Sequence, residues 1–303
     1  MKLFKVGKVK EVYESETEPD ILEFQFTDKI SVFDKVIPST IPHKGESLCR
    51  TSTYWFEEAK KLGYNTHFIE RPAPDRMKVR RVSIISDYDK ITTSTTNYLI
   101  PLEFICRYYL AGSLYNRVKK GKVKLESLGF KRGSELTYGM PLPEPHFEMT
   151  TKLEETDRLL SDEEAIKIAG LTQDDYRDIR EMVFNIDAKL NEQVLKRNLI
   201  HVDGKKEFAF NESRELMLID TFGTADEDRF WDAERYEEGE HIELSKEYVR
   251  QYYHKTGYYD ELESARAEGS AEPDIPPLPE TEIGKVSSLY IDLFERITGE
   301  KFK

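Results

Sequence analysis

One stretch restricts the fold more than any other. It runs His201-Val202-Asp203-Gly204-Lys205-Lys206-Glu207-Phe208-Ala209-Phe210, then Asn211-Glu212-Ser213-Arg214, then Glu215-Leu216-Met217-Leu218-Ile219-Asp220. Two apolar-rich segments flank a polar four-residue turn, the pattern of a β-hairpin. Pairing residue 210 with 215 sets 207 opposite 218 and 205 opposite 220. Strand side chains alternate, so Lys205, Glu207, Leu218 and Asp220 then share one face, and Phe208, Phe210, Met217 and Ile219 share the core face. Two carboxylates and a lysine on one sheet face need water, a metal ion or a ligand. A carboxylate pair beside triphosphate oxygens is a common way of holding Mg²⁺. The competing reading is the solvated face of an ordinary hairpin, and a one-residue slip in register would scatter the set.

Basic side chains elsewhere suggest what such a face could meet. Phe4-Lys5-Val6-Gly7-Lys8-Val9-Lys10-Glu11-Val12-Tyr13 places a glycine and two lysines between short β-type segments. Gly7 would let backbone approach a phosphate, with Lys8 and Lys10 as same-face neighbours on a strand. The GxxxxGK[ST] spacing of a P-loop is absent, and taken in isolation the pattern fits an exposed basic edge strand better. Arg107 lies in the mostly apolar run Pro101–Leu114, where a buried guanidinium needs a phosphate or a carboxylate, Glu103 being the nearest in sequence. Ala111-Gly112-Ser113 just beyond it has the small residues of a backbone-plus-hydroxyl anion site. Arg229 sits among acids in Asp226-Glu227-Asp228-Arg229, where an internal salt bridge competes with ligand binding. The six histidines show no HExxH-type spacing, so no zinc site is expected.

The chain as a whole reads as α+β: an antiparallel-sheet subdomain over residues 1–100, then a larger mixed one over residues 101–303. Leu22–Phe26 and Val82–Ile85 look like strands. Leu48, Ser52, Trp55, Phe56, Ala59 and Leu62 form one helical face, which Gly63 can close. Ser161 with Glu164 is a capping-box pattern; Tyr176 through Val194 and Thr281 through Ile297 carry helical periodicity. Four prolines make Glu263–Glu280 an extended surface crossing. Residues 1–150 carry a net +4 and residues 151–303 a net −17. A chain this acidic is a poor candidate for nonspecific nucleic-acid binding. No apolar run approaches the roughly 20 residues of a membrane span. Met1–Lys10 lacks the apolar core of a secretory signal, and the two cysteines form no CxxC, so a cytoplasmic enzyme is expected.

In this order and spacing, the motifs resemble the SAICAR synthetase family of purine biosynthesis. The resemblance rests on Gly7-Lys8-x-Lys10 with Val12-Tyr13, Ser31-Val32-Phe33-Asp34, Lys44-Gly45, and Pro101-Leu102-Glu103 followed by Arg107 and Ala111-Gly112-Ser113. It continues through Thr151-Lys152, Asp203-x-Lys205-x-Glu207-Phe208, Asp220, Asp226, Arg229-Phe230-Trp231 and Lys246–Tyr253. It implies a kinase-like antiparallel ATP-binding lobe above a mixed α/β lobe with C-terminal helices. It also implies joining of carboxyaminoimidazole ribotide (CAIR) to L-aspartate, with ATP split to ADP and phosphate through an acyl phosphate. Gly7, Lys8 and Lys10 would then cradle ATP phosphates, and Glu207 and Asp220 would hold Mg²⁺. Arg107, Ser113 and Arg229 would bind the ribotide phosphate, with Asp203 and Lys205 near the imidazole. Lys8, Lys10 and Lys205 would serve the chemistry, and Asp34, Thr151 and Lys152 would supply remaining substrate contacts. Where many members carry Asp-Glu, this chain has Asp220-Thr221. The usual Thr-Pro-Asp-Ser-Ser-Arg becomes Thr224-Ala225-Asp226-Glu227-Asp228-Arg229, which resembles an archaeal-type branch. A small-molecule kinase and a non-catalytic nucleotide-binding module are the rival functions, and a homodimer stays open.

Overall fold

The computed structural model describes residues 1–303. Strands β1 (Lys2–Val6), β2 (Lys10–Glu14) and β3 (Ile21–Phe26) open the chain, followed by the hairpin β4 (Lys29–Val32) and β5 (Lys35–Thr40). Helix α1 (Lys44–Lys61) comes next, then β6 (Phe68–Ala73) and β7 (Arg76–Arg80). The first sheet has the order β1-β2-β3-β7-β6, with every pair antiparallel. α1 covers it with Leu48, Ser52, Trp55, Phe56 and Ala59 of the expected face, all buried, while Leu62 of that face is the C-cap and is exposed because the helix has already left the sheet. At its start a Cβ on Gly45 would lie 2.5 Å from the Phe26 carbonyl oxygen, so only glycine lets the helix approach β3 this closely.

The second part of the chain contains β8 (Tyr98–Leu99), β9 (Leu102–Tyr109), α2 (Gly112–Lys119), β10 (Pro141–Thr151), β11 (Leu159–Leu160), α3 (Asp162–Ile168) and α4 (Gln173–Leu195). It continues with β12 (Leu199–Phe210), β13 (Leu216–Ile219), β14 (Asp228–Asp232), α5 (Ala233–Glu237), α6 (Glu247–Lys255), α7 (Tyr258–Glu268) and α8 (Glu280–Thr298). Its sheet runs β11-β10-β9-β12-β13, with β14 and β8 also on β12. β12 is therefore the axis of the molecule, pairing with β9 and β14 along its first part and with β13 and β8 at its end. α4 lies across the inner face of β12 and β9, and α8 packs on α1, so one core of 47 residues joins both sheets. The architecture is α+β, as expected.

Four local expectations change. The hairpin pairs Phe210 with Leu216 and Glu207 with Ile219, one residue off the expected register, because the loop holds five residues. Leu218 therefore joins Phe208 and Phe210 in the main core, while Met217 and Ile219 pack with Ala209 and Leu99 in a smaller cluster. Val82–Ile85 forms only an isolated bridge from Ser83 to Tyr98. The crossing is shorter than its prolines suggested: α7 persists to Glu268, and only the stretch from Gly269 to Pro279 is extended, since the prolines start at Pro273. Ser161 caps α3 through Glu164 N, but the reciprocal capping box belongs to Thr172 and Asp175 on α4.

Candidate functional site

Strand alternation builds the floor of the site. Along β12, Asp203, Lys205 and Glu207 point one way, while Lys206 and Phe208 point into the core. Asp203 stands opposite Arg107 of β9 on one side and Arg229 of β14 on the other. Directly opposed residues lie close enough for their side chains to meet, and here both guanidinium groups meet one carboxylate. Asp203 Oδ2 accepts from Arg107 Nη1 at 2.9 Å and from Arg229 Nη1 at 2.5 Å. Arg107 also donates Nε to Glu148 at 2.8 Å and Nη2 to Ser113 Oγ at 3.0 Å; the expected pair with Glu103 is not formed. Ser113 lies in the first turn of α2, beside Gly112 at φ 52. A Cβ on Gly112 would come within 2.8 Å of both Arg229 terminal nitrogens, so glycine is what lets that guanidinium lie against the backbone.

A second charge cluster adjoins this row. Lys205 Nζ reaches Glu103 at 2.6 Å, Glu227 at 3.2 Å and Glu207 at 3.5 Å. Lys152 Nζ lies 2.5 Å from Glu207 Oε2 and 4.0 Å from both Glu103 and Asp220. Lys10 closes the set with a short hydrogen bond to Asp220 and sits 4.4 Å above the Phe24 ring. Asp220 just follows β13 at φ 59, and this left-handed turn returns its side chain toward Glu207 despite the changed register. Burial pushes Glu207 above the usual carboxylate range, although Lys152 opposes the shift. Burial would do the same to Asp220, but Lys10 and Lys152 override it and hold that carboxyl well down. Burial tends to lower Lys205, yet Glu227, Glu207 and Glu103 keep it firmly protonated.

Above the floor opens a cleft of about 780 Å³, lined by Lys8, Asp34, Arg107, Ser113, Asp203, Lys205 and Arg229 among others. The expected residues thus meet in two adjoining places, with Lys205 as the joint. Lys8 and Lys10 do not act as same-face neighbours: Lys8 sits in the β1–β2 turn and pairs with Asp34 at 2.5 Å, while Lys10 begins β2 and turns to Asp220. Gly7 shapes that turn, where its N–H donates to Lys10 O at 2.8 Å and a Cβ would stand 2.9 Å from that oxygen. Thr151 is buried and its hydroxyl accepts from Arg158 N at 3.0 Å, so it organises a loop and does not line the cleft.

Several groups at the site were given no role by the sequence, although Lys44, Asp226 and Lys246–Tyr253 stood in its motifs. Lys44 and Asp226 form a buried ion pair of 2.9 Å, and Tyr290 donates to the same carboxylate from α8. Lys246 and Arg250 line the cleft from the start of α6; burial lowers the Lys246 ammonium, against the pull of Asp226. Glu148 and Glu247 complete the arginine row. Lys246 and Arg250 stand four apart on one helix, a spacing that could have been read. That Arg107, 96 residues before Asp203, and Arg229, 26 after it, meet on that one carboxylate depends on strand pairing and could not.

The donor set also suits a hard divalent cation. Glu207 Oε2 is buried without a hydrogen bond of good geometry, and Asp220 brings a second carboxylate to the same lysine. Glu103 meets the same lysine at 4.0 Å, but no three of these acids converge as a metal-holding group, so phosphate oxygens and water would have to complete the shell, as is usual for Mg²⁺.

The model of the SAICAR synthetase family matches residues 3–265. A Thermoplasma volcanium protein named phosphoribosylaminoimidazole-succinocarboxamide synthase is 53% identical over 302 residues, covering the whole of both chains. The Thermoplasma acidophilum protein of the same name is 51% identical over the same length. Among solved structures, the SAICAR synthase of Saccharomyces cerevisiae complexed with SAICAR superposes with a TM-score of 0.74 at 25% identity, over 99% of this chain and 96% of that one. A type-2 SAICAR synthetase in complex with ADP shares the fold, with a TM-score of 0.70 at 24% identity over the whole of both chains.

Proposed function

The chain belongs to the SAICAR synthetase family, and from that membership we infer that it is an ATP-dependent ligase of purine biosynthesis. It joins CAIR to L-aspartate and yields SAICAR, ADP and phosphate. The observation that carries the residue assignment is the row Arg107–Asp203–Arg229 standing beside the Lys205–Glu207–Asp220–Lys10 cluster.

The chemistry requires such a division. An amine cannot displace oxide from a carboxylate, so a CAIR carboxylate oxygen first attacks the terminal phosphorus of ATP and ADP leaves. The aspartate amine then attacks the acyl phosphate carbon, phosphate departs and the amine loses a proton. Phosphoryl transfer asks the protein mainly for positioning and charge compensation. In our reading Arg107, Ser113 and Arg229 hold the ribotide phosphate, and Asp203 and Lys205 orient the imidazole carboxylate. Lys8 and Lys10 meet the nucleotide phosphates over the turn at Gly7. Asp34 and Lys152 guide the remaining charges at the mouth and floor. Glu207 and Asp220 hold Mg²⁺, which when bound would offset charge on the transferring phosphoryl group. The lysines now paired with those carboxylates are the groups that would turn to phosphate when nucleotide enters. The antiparallel-sheet lobe of residues 1–100 is assigned to ATP, and residues 101–303 to the ribotide and, with the first lobe, to ATP and its cation. A cytoplasmic location and a homodimer are parts of the proposal that fractionation and sedimentation would decide. No helix is long and apolar enough to cross a membrane.

The direct test supplies ATP, Mg²⁺, CAIR and aspartate and follows ADP and SAICAR together. ADP release that depends on both substrates, with matching amide product, is expected. ADP without amide would leave only a kinase.

A further inference from the structure

Arg229 is held on more sides than its expected ligand needs. Its Nη1 meets Asp203 at 2.5 Å and its Nη2 meets Glu247 at 3.1 Å. Behind it, on the side away from these nitrogens, stands Glu243, whose carboxylate is 1% exposed and whose Oε2 lies 3.8 Å from Arg229 Nε. Neither of these two facing atoms has a hydrogen bond, although both are buried. The other carboxylate oxygen is fully used: Oε1 accepts from Trp231 Nε1 at 2.8 Å and from Tyr138 hydroxyl at 3.0 Å. His241 packs edge-on against both of those rings, at 5.2 Å from Tyr138 and 4.9 Å from Trp231. The groups facing Glu243 are therefore Arg229 and Trp231 of β14, Tyr138 from the segment before β10, and Glu247 of α6, with His241 in the same layer.

The charge count around the arginines gives this arrangement a consequence. Arg107, Arg117, Arg229 and Arg250 contact Glu148, Asp203, Glu243 and Glu247, so the set is already balanced. A dianionic phosphate entering at the Arg229 edge adds negative charge beside these buried carboxylates, only partly offset by Lys246 of the same cleft. Excess negative charge raises the affinity of nearby carboxylates for protons. Among the four, Glu243 has the weakest cationic partner. Its carboxyl is already pushed up to about 7, chiefly by burial, with Arg229 opposing.

We propose that Glu243 is a positioning residue for Arg229: its buried carboxylate stands behind the Nε edge while the Nη edge turns to the ribotide phosphate, and it takes up one proton from solvent as that phosphate binds. The inference rests on the ligase reading for the identity of the phosphate, not for the geometry. Phosphate binding is then favoured at or below pH 7 and weakens above it, because each bound ligand must bring Glu243 a proton. The ribotide phosphate has its own ionisation near pH 6, which acts in the opposite sense. That effect is common to the wild type and its variants, so the comparison between them isolates Glu243.

The test measures KM for CAIR and kcat from pH 6 to 8.5 in the wild type and in Glu243→Gln. The glutamine keeps an oxygen for Trp231 and Tyr138. In the wild type KM should rise about fourfold between pH 7 and 8.5 for one unit of coupling, with kcat much less affected. In Glu243→Gln, whose neutral amide matches the protonated carboxyl, the rise should vanish and KM should stay near the wild-type value at pH 6.5. Glu243→Asp, which keeps the charge, should retain a pH-dependent KM. Calorimetric titration in two buffers of different ionisation heat should show net proton uptake at pH 7.5 for the wild type and none for Glu243→Gln. A Gln variant with the wild-type slope and proton count overturns the inference while the ligase reading stands, and so does a variant whose pH-independent loss falls equally on kcat. If the wild type fails to turn over CAIR, the ligase reading fails. Ribose 5-phosphate, titrated in the same two buffers, then decides about Glu243 alone.

Discussion

Lys205 and Lys206 are neighbours in sequence and opposites in surroundings. Lys205 faces the cleft, where Glu103, Glu207 and Glu227 meet it. Lys206 faces the core, has no exposed side-chain surface, and is paired with Asp187 of α4, itself fully buried. Alternation along β12 predicts that the two point to opposite faces; it does not predict that a lysine can live on the inner one. What makes that tolerable is a carboxylate from another element, since a lone buried charge is prohibitively costly. Lys206→Met should therefore lose about 3–5 kcal/mol of stability by stranding Asp187, and adding Asp187→Leu should recover much of it. Urea unfolding would read both, and a double variant no better than the single one would refute the pairing argument. Lys205→Met should behave the other way. Removing a half-exposed lysine that serves three acids should change the urea midpoint little and reduce turnover by at least about tenfold, roughly the cost of one charge-assisted contact.

Elements with strong periodicity or end signals were readable from their own residues. α4 and α8 lie where helical spacing placed them, and α1 buries the expected stripe as far as Ala59. The β4–β5 hairpin shows where local reading stops. Its two turn residues, Phe33 and Asp34, sit at φ 53 and 66, the geometry of a type I′ turn that ordinarily calls for Asn-Gly. Nothing in Ser31-Val32-Phe33-Asp34 announces that strain. The turn is held from outside: Phe33 packs on Tyr259 and His254, and its carbonyl accepts from Arg266 at 3.0 Å. Strain kept at a cleft edge suggests that function, not stability, selects Asp34, whose carboxylate meets Lys8. Asp34→Gly should then melt at the same temperature as the wild type or slightly higher, a gain of up to about 1 kcal/mol, while kcat/KM falls. A lower melting temperature with full activity would reverse that assignment.

For the whole molecule, charge reads differently than it did as a total. Residues 151–303 carry a net −17, yet the carboxylates at the cleft are mostly matched by arginines and lysines from both halves. These pairings set the response to pH. Glu148 and Asp226 are held below the ordinary carboxylate range: burial opposes this, but His146 with Arg107 in one case, and Lys44 with Lys246 in the other, prevail. Their contribution is complete above about pH 4.5 and is lost as acid protonates them in the fold. Glu243 has the opposite sign: its raised pKa favours the fold below its unfolded value of about 4.3, and that advantage is lost as pH rises through about 7. The urea midpoint should therefore fall steeply below pH 4, and Glu243→Gln should remove part of any decline between pH 5 and 8. A flat acid limb would contradict the ion-pair account. The sequence by itself determined which residues could be strand, helix or turn, which side chains on a strand share a face, and, through ordered motifs, the family. Those properties depend on neighbours a few positions away. Register, the Arg107–Asp203–Arg229 row, the turn of Asp220 back to Glu207 and the acids behind Arg229 were decided only by tertiary structure. Each depends on which of several chemically plausible partners, many of them far away in sequence, packing brings within about 3 Å.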